Sequence, residues 1–353
     1  MRTILRTAAL SAVALMTATA CGGQGSPAGG EGPDPADADL TVVTGVYPLE
    51  WLAHEVGGDR VAVVQLTEPG MEPHDLELTG RQIGEVTEAD LAFYVAGLQP
   101  AVDEAVEQEA ADRALDVADV IELHPIGDGG HEHGEDDDHG HEDDDHAHED
   151  EEAHSEDDHA HEDEETHADE EPAGDGHDHG DLDPHFWLDV DLMSEVAGAL
   201  GERLGELNPD AAAEYTANAE AVAAELETIG QEYEDGLASC ERNEVVVGHT
   251  AFSYLTEHYG LEQVGISGVD PDSEPSPSQI AEIADFVEEH GVTTIFTEPL
   301  MPEETARTIA GETGAAVEVL DPLEGITDAS PGDDYPSIMR GNLEALRSAL
   351  ACS

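Results

Sequence analysis

Apolar positions along this chain fall into two series in which short β-branched runs alternate with amphipathic stretches. In the first, LTVVTGVYP (Leu40–Pro48) reads as a strand, followed by a short helix ending near Gly57 and Gly58. VAVVQLTEPG predicts a second strand that runs into a loop. TGRQIGEVTEADLAFYVAG predicts a helix and a third strand, and PAVDEAVEQEA a further helix. In the second series, NEVVVGHT and LEQVGISG read as strands around a short helix, and SQIAEIADFVEEHG as a helix. VTTIFTEP, a helix from Pro302 to Thr313, AAVEVLDPL and a closing helix in YPSIMRGNLEALRSAL follow. Strands alternating with helices at this spacing predict parallel α/β packing. Between the two series, Asp189 to Leu237 has a helical period with a break at Asn208 and Pro209. Its second part would be about 40 Å long at 1.5 Å per residue, enough to run along two lobes. The fold class expected is α/β: two lobes with parallel sheets joined by a long rigid helix. Residues 40–188 would form the first lobe, 189–238 the helical spine and 239–353 the second lobe.

Charge changes this picture in one place. The 353 residues carry 85 acids against ten arginines and no lysine, for a formal charge of −75. Phosphate binding needs a cationic face, so a nucleic-acid partner is excluded and an anionic substrate disfavoured. Cations would be concentrated near such a surface. The segment from Gly127 to Asp181 holds 27 of the acids and 12 histidines with no basic residue. Those histidines are His131, His133, His139, His141, His146, His148, His154, His159, His161, His167, His177 and His179. Its few apolar residues cannot offset the entropy of ordering it, so it is expected to be a disordered loop when metal-free.

The first residues read as an export signal. Arg2 and Arg6 precede an apolar run, Ala8 to Met16, too short for a mature membrane span. Ala18-Thr19-Ala20 then stands before Cys21 and two glycines, which resembles a bacterial lipobox cut after residue 20 with lipidation at Cys21. A plain secretory signal ending in A-T-A is the alternative. Residues 21–39, rich in Gly, Pro, Ala and acid, would be a flexible tether. The protein would then sit outside the cytoplasm, lipid-anchored to the outer face of the cell membrane. The remaining cysteines, Cys240 and Cys352, suggest one disulfide in an exported chain, with free buried thiols as the alternative.

The other histidines divide by context. His54 and His258 lie on helices as surface or packing residues, and His290 at a helix C-terminus, where a cation suits the dipole. His124 has no clear assignment. His74 (EPGMEPHDLELTG), His185 (DPHFWLDV) and His249 (VVVGHTAF) instead lie at strand ends or helix entries, where open α/β sheets place ligand sites. Asp321, in VEVLDPLEG, also follows a strand. Three imidazoles and a carboxylate suit tetrahedral Zn²⁺, although such long separations are not a local motif.

The segments EPGMEPHDLELTG, DPHFWLDV, VVVGHTAFSYL, TIFTEP and VEVLDPL, in this order, resemble the metal-binding cluster of ABC-transporter substrate-binding proteins, most closely its zinc-uptake branch with a His-rich loop. The resemblance runs from about Leu40 to the end. It implies one metal held in a cleft between two α/β lobes, with His74, His185, His249 and Asp321 as ligands. Manganese-binding relatives carry a carboxylate at the position of His249, so histidine there implies zinc, in keeping with the nitrogen-rich set. Glu298 would stand behind the ligands, and Glu72 stands one residue further from His74 than a glutamate found in some zinc relatives. The implied partners are an ABC permease and its ATPase subunit, and a monomer is expected. The acidic run would capture or buffer zinc weakly, since binding must order it. A zinc hydrolase would also use three histidines, but no HExxH signature is present, and no enzyme activity is expected. A stand-alone metal buffer or adhesin is the remaining alternative.

Overall fold

A computed structural model describes residues 33, 35–126, 182–271, 273 and 275–353. The export signal with Cys21 and the acidic segment with its twelve histidines lie outside the described residues. The first lobe is built from β1 (Leu40–Thr44), α1 (Tyr47–Gly57), β2 (Val61–Gln65), α2 (Gly80–Glu88), β3 (Leu91–Tyr94), α3 (Pro100–Glu109) and β4 (Ala114–Asp116). Its strands are all parallel in the order β2-β1-β3-β4, with Val42 opposite Val63 on one side and Leu91 on the other. Parallel sheets are covered on both faces, which is why VVT and LAFY are near-continuous apolar runs. β4 is the element the hydrophobic pattern did not announce: three half-buried residues offer no alternation to read.

The second lobe repeats the plan with β5 (Glu244–Val247), α6 (Ser253–His258), β6 (Glu262–Gly265), α7 (Pro277–His290), β7 (Thr294–Thr297), α8 (Glu304–Thr313), β8 (Ala316–Val319) and α9 (Tyr335–Ala349). Its parallel order, β6-β5-β7-β8, is the first lobe's order over again. Local chemistry sets the helix starts. Ser276 with Gln279, Thr79 with Gln82 and Asp334 with Ser337 close reciprocal capping boxes at α7, α2 and α9.

Between the lobes lie α4 (Val190–Leu207) and α5 (Ala212–Leu237). Asn208 and Pro209 stop the first helix, and the second folds back along it. A Cβ at Gly201 would sit 3.0 Å from the Ala219 Cβ and 3.2 Å from the Tyr215 carbonyl, so glycine permits this approach. The spine is therefore a helical hairpin whose long arm, α5, spans about 39 Å. Asn218 of α5 donates to the Val56 carbonyl of α1 at 3.0 Å, while Tyr233 donates to the Met339 carbonyl of α9 at 2.7 Å. Each end of α5 thus grips a different lobe. Trp51 of α1 also stacks directly on Tyr335 of α9, with centroids 4.6 Å apart. One core cluster includes Leu52, Leu226, Val245 and Leu346, so buried apolar packing is continuous from lobe to lobe. Cys240 and Cys352 are joined by a disulfide across 112 residues of sequence. Among the described residues, no helix is long and apolar enough to cross a membrane.

Candidate metal centre

Three imidazoles and one carboxylate meet where the loops at the strand ends of the two sheets face each other. They are His74, His185, His249 and Glu324. A single oxygen, Glu324 Oε1, lies 3.1 Å from His74 Nε2, 3.0 Å from His185 Nε2 and 3.2 Å from His249 Nε2. His249 Nε2 is not in line for a hydrogen bond to that oxygen and is left buried without a partner of its own. These separations test the fit to a cation. A tetrahedral ion with ligand bonds of about 2.0–2.1 Å has donor–donor edges of about 3.3–3.4 Å, only slightly longer than those found. The donor set matches zinc in type, and its three nitrogen–oxygen edges suit zinc in size.

Each donor reaches the centre by a different local device. His249 follows β5 at the turn where neighbouring strand connections diverge, the ligand position of open α/β sheets. Glu298, just after β7, accepts the His249 main-chain N–H at 2.9 Å and faces its Nδ1 at 2.5 Å. A Cβ at position 248 would come within 2.5 Å of that carboxylate, so Gly248 is what lets Glu298 close in. His185 is served in the same way by Asp183, which accepts from its main-chain N–H at 3.0 Å and faces its Nδ1 at 2.7 Å. These carboxylates fix the tautomer that presents a bare Nε2 to the centre. His74 lies on the long segment between β2 and α2, pinned where Gln99 donates to the Pro73 carbonyl at 3.0 Å. Its side chain is 13% exposed, whereas those of His185 and His249 are fully buried.

Charges at the centre are tightly balanced. Burial pushes the Glu324 carboxyl up, but the charge of His249 and hydrogen bonds from His185 and His74 outweigh it and hold Glu324 well below the usual carboxylate range. Burial opposes a charged His249, yet Glu298 and Glu324 together raise its pKa well above the ordinary value. His185 is raised too, because bonds to Asp183 and Glu324 overcome the same burial. His185 and His249 therefore hold a proton more tightly than a free imidazole does. Protons and a cation compete for the same Nε2 lone pairs.

The carboxylate that meets the three histidines is not the expected one. Asp321 is buried but does not join the group of donors; Glu324, three residues on, does. Asp321 Oδ1 instead accepts from the Leu323 N–H at 2.8 Å, which makes it a turn residue. Burial raises its pKa to about 6. Asp183 was missed altogether, although a histidine placed to bind a metal commonly donates its other ring nitrogen to a carboxylate. Glu72 is not among the converging donors, and its two oxygens accept the N–H groups of His74 and Asp75 at 3.2 and 3.3 Å.

The remaining histidines among the described residues lie elsewhere. His290 stacks on Phe286 at 4.1 Å, His54 faces Glu50 at 4.0 Å, and His124 stacks on Tyr254 at 4.2 Å. His258 faces Asp189 at 2.8 Å and with Asp191 completes a second group of possible donors. That group is partly exposed, and Asp189 already caps the start of α4, where the helix dipole opposes a cation.

Residues 42–349 match the family described as zinc-uptake complex component A, periplasmic (ZnuA). The chain belongs to this family. Among curated ZnuA-like relatives, the zinc-binding lipoprotein AdcA of Streptococcus pneumoniae (strain ATCC BAA-255 / R6) is 30% identical over 320 residues, covering 88% of this chain. The chain spans only 56% of the length of that relative. The high-affinity zinc uptake system protein ZnuA of Bacillus subtilis (strain 168) is 28% identical over 319 residues, covering 88% of each chain. Of solved structures, the laminin-binding protein Lmb of Streptococcus agalactiae, titled a bifunctional protein with adhesin and metal-transporting activity, superposes with a TM-score of 0.68. It is 29% identical and covers 88% of this chain and 99% of its own. Zn(II)-bound AdcA of Streptococcus pneumoniae gives a TM-score of 0.66 at 25% identity, covering 89% of this chain and 58% of its own.

Proposed function

We propose that this ZnuA-family chain captures Zn²⁺ outside the cytoplasm and delivers it to an ABC permease powered by its ATPase subunit. The observation that carries the reading is the convergence of three imidazole Nε2 atoms on Glu324 Oε1. His74, His185, His249 and Glu324 are the proposed ligands, with zinc as cargo. A catalytic zinc keeps an open position for water. Four protein donors would fill a tetrahedral shell here, and three of the four are buried, which favours carriage. Three nitrogens against one oxygen favour Zn²⁺ over Mn²⁺, which prefers harder and more numerous oxygen donors. Lipidation at Cys21 would hold the protein at the membrane's outer face, and the twelve histidines of the acidic segment would gather zinc weakly nearby.

The test is titration of Zn²⁺ against a competing chelator, with Mn²⁺ as a second competitor. One tight zinc per chain is expected. His249→Ala should abolish that tight binding, and His249→Glu should narrow the preference over Mn²⁺ by adding an anionic oxygen. Unchanged zinc affinity in His249→Ala would remove this histidine from the ligand set.

A further inference from the structure

Glu324 reaches the histidines from a segment whose backbone is bound at each successive residue by groups that do not touch the cargo. Leu320 donates to the Thr297 carbonyl at 2.9 Å, the last contact β8 makes with its sheet. At Asp321 the sheet has ended, and Asn342 of α9 takes its place. Its Oδ1 accepts the Asp321 N–H at 2.9 Å, and its Nδ2 donates to the Asp321 carbonyl at 2.7 Å. At Pro322 the carbonyl accepts from Trp187 Nε1 at 2.7 Å. At Leu323 the N–H donates to the Asp321 carboxylate at 2.8 Å, with φ at +64°. That left-handed conformation is unfavourable for a residue with a side chain and persists only where its surroundings impose it. It turns the chain so that Glu324, rather than Asp321, faces the centre.

Two of these groups are unusual for their positions. Asn342 is fully buried on the core face of an amphipathic helix, where an apolar residue would be the default. Trp187 lies two residues after His185, and its own carbonyl accepts from Tyr335 O–H at 2.6 Å. The bond from Trp187 to Pro322 therefore fixes the Glu324 segment against the segment that carries His185. We propose that Asn342 and Trp187 are positioning residues for zinc binding: together with the Asp321 turn they clamp residues 321–323, so that the Glu324 carboxylate is presented to the three imidazoles before the ion arrives. This rests on Glu324 being a ligand.

A residue that acts only through Glu324 has no effect on zinc once the Glu324 carboxylate is gone, and a double-mutant cycle isolates that coupling. The experiment is chelator-competed Zn²⁺ titration of the full chain, read at the first equivalent, for Asn342→Leu, Glu324→Ala and the double variant. Thermal unfolding of the zinc-free proteins is recorded alongside. The expected result is a loss of about ten- to a hundredfold in affinity for Asn342→Leu, the range for residues that orient a metal ligand. No further loss is expected when the change is added to Glu324→Ala. Equal losses in both backgrounds, or no loss in either, would overturn the clamp while leaving the ligand set standing. If Glu324→Ala itself binds zinc normally, the ligand reading falls and the clamp with it. Should Asn342→Leu fail to fold, Trp187→Phe keeps a ring in place, removes only the bond to Pro322, and is judged by the same cycle.

Discussion

The two lobes share a strand order but hold the centre in different ways. The second lobe supplies His249 and Glu324, both buried, one braced by Glu298 and the other carried on a segment bound residue by residue. The first lobe's sheet supplies His74 alone, from a long loop, partly exposed and with no carboxylate against its Nδ1 among the described residues. His185 lies between these cases, at the crossing of the lobes, braced by Asp183. One wall of the site is thus more fully braced than the other. Preorganised donors bind without a cost of reorganisation, whereas a donor on a looser loop gives up part of its bond energy to ordering.

The largest expected effect comes from removing a donor on each side. His249→Ala should cost more than about a hundredfold in zinc affinity, since even residues that merely orient a ligand cost ten- to a hundredfold. His74→Ala should cost less, because its exposed position lets water take the vacated place. Chelator-competed titration of both variants measures the difference, and a larger loss in His74→Ala would reverse the comparison. Next come the braces. Glu298→Gln and Asp183→Asn each keep one oxygen near the ring Nδ1 but lose the charge that raises ligand basicity. About tenfold weaker zinc binding is expected for each, with unchanged stoichiometry. The same titration checks it, and a lost equivalent of tight zinc would show that these carboxylates are ligands themselves.

How much of this could be read from residues alone follows from which contacts are local. The alternation of strands and helices foretold both lobes, because each parallel strand must present apolar residues on two faces. β4 escaped because three residues cannot display a period. The three histidines stood out by their place after strands. The carboxylate did not, since DPLEG offers two acids and the choice depends on Asn342, twenty-one residues away, and on Trp187, further still. The D-P start was a legible turn signal, in which the aspartate bonds its own backbone two residues on. Weighing it would have pointed past Asp321. The tie from Glu298 to His249 was beyond reach for the same reason, being formed across 49 residues.

The disulfide gives a smaller effect on the site, though a large one on the fold. Cys240 and Cys352 lie at the far end of the second lobe, next to the tail of α5. For a loop of 112 residues the chain-entropy account gives about 4–5 kcal/mol of stabilisation, commonly less in practice. Reductant should lower the melting temperature of the zinc-free protein and leave zinc affinity unaltered. A drop in affinity on reduction would mean that the preorganised wall depends on this distant staple.

The smallest effect on tight binding should come from the largest change in sequence, replacement of residues 127–181 by a short glycine-rich turn. The two ends of that segment are already fastened to each other. Asp183 donates its N–H to the His124 carbonyl at 2.8 Å, and Pro125 pairs with Leu182 in an isolated antiparallel bridge. Tyr254 fastens both strands from the second lobe, accepting the His124 N–H at 2.8 Å and donating to the Asp183 carbonyl at 2.7 Å. Asp183 braces His185, so this stem directly supports a proposed ligand. It does so with groups that all lie outside the deleted residues, and a short turn can join its ends. The truncated protein should keep one tight zinc of unchanged affinity and lose the additional weak zinc expected from the twelve histidines. Equilibrium dialysis for stoichiometry and chelator competition for affinity separate the two. Loss of the tight zinc would move the principal site into the acidic segment and leave the four converging donors as a bystander.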